Sequence, residues 1–168
     1  MQVLQTDPGT SILPATVPTF RVGTITVYGD AILAHMDGFS DWPFRSICRG
    51  LGSAMSYNEF TRAEFILHGF EHISERFTYD EVERPFVIQV YGDDPELIIA
   101  AAQRVMEKKH DIIDINMGCP ARTVANRGAG VGLMRTPLKV ARIFERLTHL
   151  LDVPVTGKIR LGWDDNRT

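Results

Sequence analysis

The sequence predicts an α/β fold built on a parallel sheet, and three observations predict it. Strand-like and helix-like stretches alternate at the spacing of βα units, with no low-complexity linker and no charge block after residue 20. Ile112, Ile113 and Ile115 form a nearly continuous β-branched run, the pattern of a strand covered on both faces. That run passes straight into Asn116–Pro120, a loop at the C-terminal end of its strand, where parallel α/β proteins keep their reacting groups.

Residues 1–20 carry Pro8, Pro14 and Pro18 among small polar residues and read as a flexible leader. Val22–Gly29 alternates and ends in a Gly-Asp pair, which predicts a short hairpin. Core strands are expected at about 31–36, 53–59, 86–91, 111–116 and 154–159, with helices filling the gaps. Ser40 or Asp41 caps a first helix that carries Phe44, Ile47 and Leu51 on one face and stops at Gly52. Asp94–Pro95 opens a second, in which Leu97, Ile98, Ala101 and Val105 recur at helical spacing before Lys108 and Lys109 meet the negative end of the dipole. Thr136–Pro137 starts a third, with Val140, Ile143, Phe144 and Leu147 as its stripe. All three stripes read as core packing, and the whole as one domain.

Composition excludes several classes. With 44% hydrophobic and 23% charged residues the chain is ordinary for a globular protein, and a formal net charge of -3 is mild. No apolar run reaches the roughly 18 residues of a membrane span, and the N-terminus lacks the basic and apolar regions of a signal peptide, so a cytoplasmic protein is expected. Cys48 and Cys119 suit two free thiols in a reducing compartment, with Cys48 packed inside its helix. Neither belongs to a C-x-x-C and the five histidines are scattered, so no metal is expected.

Cys119 is the residue most suggestive of chemistry. A lone cysteine in a βα loop also serves as packing, and its neighbours decide between the two. Ala121–Arg135 adds glycines, which let backbone N–H groups approach a ligand, and arginines, which pair with phosphate. From Ile115 to Phe144 there are five basic residues (Arg122, Arg127, Arg135, Lys139, Arg142) and no Asp or Glu, so the local field is positive.

Five runs, in order, resemble the tRNA-dihydrouridine synthases: Leu33–Arg45 (LAHMDGFSDWPFR), Ile88–Gly92 (IQVYG), Asp114–Pro120 (DINMGCP), Gly128–Met134 (GAGVGLM) and Val155–Trp163 (VTGKIRLGW). The resemblance covers roughly Ile32 to Asp165. It departs from the family's usual pattern at His35, where proline is usual, and at Gly157, where a bulkier apolar residue is usual. It implies a (β/α)₈ TIM barrel of which this chain supplies about the first five βα units. Residues 21–168 are then the N-terminal part of the flavin-binding catalytic domain, the hairpin covers the barrel's bottom, and the last barrel strands and a helical tRNA-binding domain are absent. An open remainder of this kind leaves unpaired sheet edges and exposed apolar surface.

The resemblance further implies reduction of the C5=C6 bond of a uridine in tRNA to 5,6-dihydrouridine, with tightly bound FMN re-reduced by NADPH, in a protein monomeric at full length. Hydride reaches one alkene carbon from the flavin and the other carbon takes a proton from the opposite face. A thiol is mostly protonated at neutral pH, so Cys119 is the expected general acid. Asn116 presents its amide to the base or flavin, or else caps the loop after its strand. Gln89, an inward amide on an apolar strand, needs a partner and is expected to bond the polar edge of the isoalloxazine ring. Lys158 is expected to be a buried ammonium paired with the reduced flavin, or with a strand carboxylate such as Asp114. Met36 and Gly38 bring backbone groups to the ring, Asp37 serves the turn, and Glu59 with Asn58 faces substrate or caps the next helix. Arg122, Arg127 and Arg135 are candidate contacts to tRNA phosphates, although a pI near 5.9 argues against tight nonspecific nucleic-acid binding. Two other readings stay open: a flavin barrel of the dihydroorotate or dihydropyrimidine dehydrogenase kind acting on a free pyrimidine, and an inactive truncated fragment.

Overall fold

The computed structural model describes residues 18–163. The chain opens with an antiparallel hairpin, β1 (Pro18–Val22) and β2 (Ile25–Tyr28), which turns at Gly23 with φ +58°. The hairpin therefore reaches back into the expected leader, whose remaining residues 1–17 lie outside the described residues. Val27, Phe20, Val22 and Ile25 pack on Ala54, Met55, Val87 and Ile112 at the N-terminal ends of the main strands, so the hairpin closes the sheet's lower end as expected.

After α1 (Trp42–Gly50) come β3 (Ser56–Tyr57), β4 (Thr61–Arg62), α2 (Ala63–His68) and α3 (Phe70–Ile73). They are followed by β5 (Phe86–Tyr91), α4 (Pro95–Val105), β6 (Ile112–Met117), α5 (Arg122–Ala125), α6 (Pro137–Leu150) and β7 (Val155–Ile159). The strands pair in parallel in the order β3-β5-β6-β7, with β4 also on β5, which is the parallel half of a barrel. The α/β class holds. Alternation sorts the side chains: Ile88, Val90, Ile113 and Ile115 face outward into one core with Ile98, Ala101 and Ala102 of α4 and Ile143 and Leu147 of α6. At Gly157 a Cβ would stand 2.5 Å from Met117 Cε and 2.8 Å from Phe144 Cζ, so Phe144 fills the space a bulkier residue on β7 would take.

Three expected elements differ. Residues 31–36 make no ladder: Ala31 O accepts from Ala54 N at 2.8 Å and Leu33 N donates to Ser53 Oγ at 3.1 Å, two ties that leave the segment extended but unpaired. The strand expected at 53–59 is reduced to β3, and pairing with β5 resumes only beyond it at β4, because Asn58 Oδ1 takes Gln89 N at 2.7 Å where a ladder carbonyl would accept. On α1 the expected core stripe points outward, with Ile47 62% and Leu51 67% exposed, while Arg45 is buried. Arg45 decides this orientation by bonding Glu83 Oε1 (2.9 Å), Ser40 O (2.9 Å) and Thr78 O (2.5 Å). Asp41 caps this helix on Phe44 N and Asp94 caps α4 on Glu96 N, as the sequence predicts.

Candidate active site

The period of two that turns Ile113 and Ile115 toward the helices turns Asp114 and Asn116 to the inner face. Register then sets Gln89 beside Asp114, Thr156 on its other side, and Lys158 beside Asn116. The buried members form one hydrogen-bonded chain. Asp114 accepts from Thr156 Oγ1 and from Gln89 Nε2, each at 2.6 Å. Gln89 Oε1 accepts from Asn116 Nδ2 at 2.9 Å. Asn116 Oδ1 accepts the backbone N–H of Gly118 (3.2 Å) and of Cys119 (3.0 Å). Burial holds the Asp114 carboxyl above its ordinary range, against the pull of Thr156, Gln89 and Lys158.

The partners expected of Gln89 and Asn116 are thus supplied by the chain itself, and Asn116 caps the loop that carries the cysteine. Cys119 is a half-buried free thiol whose backbone carbonyl accepts Val131 N at 3.1 Å. Two of the following glycines are required by the loop's own packing. A Cβ on Gly130, where φ is +56°, would lie 2.7 Å from Cys119 O, and one on Gly132 would lie 2.6 Å from Ala125 O.

The loop after residue 34 is also tied down. Met36 N donates to Ser40 Oγ at 2.8 Å and Gly38 N to Glu59 Oε1 at 2.8 Å, so both backbone groups expected to meet a ring already have partners. Arg76 clamps the same loop through Asp37 (2.9 Å) and Glu59 (3.3 Å). Met36 itself stays exposed.

Lys158 is exposed, contrary to the expected buried ammonium, and pairs with no carboxylate among the described residues. The cause is that β7 has no neighbouring strand on its far side among the described residues. Of the five basic residues after Ile115, Lys139 bonds Asp93 O and Arg142 bonds Glu96, both at 2.8 Å, and Arg135 stacks on Trp163. Arg122 and Arg127 remain exposed and without an ion pair among the described residues, so they are the two left to contact an anion.

Two features were missed in the sequence. Asp114 anchors the polar chain, and its place two residues before Asn116 was the available signal. His35 ends the chain, with Nε2 3.3 Å from Asn116 Nδ2, Phe60 edge-on at 5.5 Å and a buried Nδ1 that has no partner among the described residues. Burial and the Lys158 charge push its pKa down to about 4. Burial and Asp114 push Tyr57 up to about 12, so both rings are neutral at pH 7. Together with Ile32, Ala34, Asp114, Thr156 and Lys158 they line an inner cavity of about 400 Å³, within the range of sites for cofactor-sized ligands. Apolar walls and an exposed ammonium at the rim suit a flat ligand that carries partial negative charge. Among the described residues no cluster of three His, Cys, Asp or Glu could hold a metal, and no helix is long and apolar enough to cross a membrane.

The family model described as dihydrouridine synthase (Dus) matches residues 32–168. The tRNA-dihydrouridine synthase B of Pseudomonas aeruginosa is 43% identical over 148 residues, 88% of this chain and 45% of that protein. The proteins of the same description from Pseudomonas putida and Pseudomonas syringae are 40% and 39% identical, over 86% and 88% of this chain and 43% and 44% of their own lengths. The chain spans less than half the length of these curated relatives.

Proposed function

The chain belongs to the dihydrouridine synthase family, and on that premise we propose that it supplies the catalytic cysteine and the inner wall of the flavin site of an enzyme that reduces a uridine of tRNA. FMN, re-reduced by NADPH, would supply the hydride when bound. The chain's own residues do the rest. Cys119 gives a proton to the alkene carbon opposite the hydride, as a general acid that remains non-covalent. Asn116 holds that thiol's loop through the Cys119 and Gly118 N–H groups, and Gln89 and Asp114 hold Asn116. Met36, Gln89 and Lys158 are the proposed flavin neighbours, Lys158 placing positive charge at the cavity rim. Arg122 and Arg127 take tRNA phosphates, and Asn116 stands where the base would meet the loop.

The pinning of the Cys119 loop at the end of β6 carries this reading: a proton donor must be held in place, and five successive contacts do so here. Two exposed arginines, Arg122 and Arg127, without an ion pair among the described residues favour a polyanionic substrate over a free pyrimidine. The test is Cys119→Ala in the full-length protein. It is expected to keep FMN bound while dihydrouridine formation in tRNA falls by about 10²–10⁴-fold, the usual worth of a general acid. Turnover at the parent rate would overturn the assignment, and efficient oxidation of the flavin protein by a free pyrimidine would favour the other substrate class.

A further inference from the structure

A second pocket, of about 170 Å³, shares no residue with the inner cavity. Arg62, Tyr91 and Asp93 at the C-terminal ends of β4 and β5 form one side, and the segment 123–129 forms the other. Its shape is set before any ligand arrives. Register places Arg62 beside Tyr91, and Lys139 Nζ holds Asp93 O at 2.8 Å. A Cβ on Gly128 would lie 3.8 Å from Asp93 Cβ, so the two sides meet there. The second side also supports the cysteine loop. Val124 and Ala129 line the pocket, and a Cβ on Gly130 between them and the loop would fall 2.9 Å from Val124 Cγ1 and 3.1 Å from Cys119 Cβ.

The lining combines three kinds of group. Tyr91 is half-buried, and Phe60 holds its ring at 5.1 Å and 69°, which makes a steady aromatic surface of the kind on which nucleobases stack. The Arg62 charge is taken by Glu64 in two bonds of 2.9 and 2.7 Å. Glu64 first, against the cost of burial, and then Tyr91 and Asp93 hold that guanidinium charged, so the ends of both pocket side chains face it. Arg127 is exposed and Asp93 half-buried, and neither makes an ion pair among the described residues. A phosphate inside the pocket would meet the Asp93 carboxylate. A base inside would meet an aromatic ring and an acceptor for its N–H groups, and would leave its phosphate at the Arg127 rim.

We propose that this pocket holds the base of a tRNA nucleotide that flanks the reduced uridine, stacked on Tyr91, with Asp93 accepting from the base and Arg127 pairing with its phosphate. The inference rests on the tRNA reading of the site and deepens it, because RNA is read chiefly through splayed, unpaired bases held in this way. The pocket's size suits one base.

The experiment follows dihydrouridine formation by the full-length protein. Tyr91→Ala should raise KM for tRNA about fivefold to a hundredfold, the usual worth of one stacked base, and Tyr91→Phe should restore it. Arg127→Ala should lower the slope of log KM against log salt by about one. An abasic residue placed 5′ of the reduced uridine in one transcript and 3′ in another should raise the parent's KM by a similar factor in one of the two, and should add nothing further in Tyr91→Ala. Asp93→Asn, expected to raise KM about threefold to tenfold, is read with the same transcripts and decides where Tyr91→Ala does not fold. Parent KM in these variants, or penalties that add to the abasic one, would overturn the inference while leaving the role of Cys119 intact. A rise in KM for NADPH in place of tRNA would also overturn it, since the dinucleotide's adenine would then be the occupant. A parent enzyme inactive on tRNA would overturn the reading on which it rests.

Discussion

On β5 and β6 the helix-facing side is apolar and the inner side turns polar at Gln89, Asp114 and Asn116, above Val87 and Ile112, whereas α1 turns Arg45 inward and leaves Ile47 and Leu51 in solvent. Both regions obey the same rule, that a buried polar group must be paired. On the strands the pairing runs between neighbouring strands in register. On α1 it runs to the carbonyls of the 78–84 segment, where Arg49 also bonds Val82 O at 2.8 Å and Arg84 O at 2.6 Å. A hydrophobic stripe identifies the buried face only where something in the chain covers it. Where nothing does, the charged residues with partners decide.

This contrast predicts opposite outcomes for substitutions on one helix. The largest effect should come from Arg45→Ala, which strands the fully buried Glu83 and is expected to cost about 3–5 kcal/mol in denaturant melts. A cost below about 1 kcal/mol would mean that the pair does not orient α1.

Acid should separate satisfied from unsatisfied buried groups. His110 is buried with no well-formed hydrogen bond at either ring nitrogen among the described residues, and burial, opposed by Asp111 and a weak contact to the Val105 backbone, pushes its pKa down to about 4. Its neutral form is favoured in the folded state, so its contribution is complete above the unfolded value near 6.5 and is lost as pH falls to about 4, on the order of 3 kcal/mol. His35 adds to the loss in the same window. In His110→Leu the stability profile between those pH values should flatten; an unchanged slope would assign the acid sensitivity elsewhere.

Gly130→Ala tests the other kind of constraint. A Cβ 2.7 Å from Cys119 O at φ +56° should cost about 1–3 kcal/mol and loosen the cysteine loop, read as faster amide exchange at Cys119 and Val131. Unchanged exchange would mean the glycine is dispensable. The smallest effect is expected for Ile47→Ser with Leu51→Ser, within about 0.5 kcal/mol in this chain because both side chains are already exposed. A large loss there would show that the stripe is covered after all.

The legible parts of the fold were those with local causes. The strand at β6, the caps at Asp41 and Asp94 and the stripe of α4 each follow from neighbouring residues alone. The early end of β3 was not legible, because it depends on Asn58 meeting Gln89 N across 31 residues of sequence. The site shows the same division. Cys119 and Asn116 stand out in their motif, and the cap that Asn116 makes on the loop is local and was one of its expected roles; that Gln89 is satisfied by Asp114 depends on register between strands, and that Lys158 is exposed depends on β7 having no neighbour on its far side among the described residues. His35 was visible only as a departure from the family's pattern; its unpartnered nitrogen is a property of the packed structure.

The central claim is that Cys119 delivers a proton in the step that consumes tRNA and in no other. Stopped-flow absorbance on full-length Cys119→Ala, following flavin bleaching by NADPH and then recovery of colour on mixing with unmodified tRNA, separates the two half-reactions. The account predicts bleaching at the parent rate and recovery slower by about 10²–10⁴-fold. Recovery at the parent rate would contradict it, and so would a defect confined to the NADPH step.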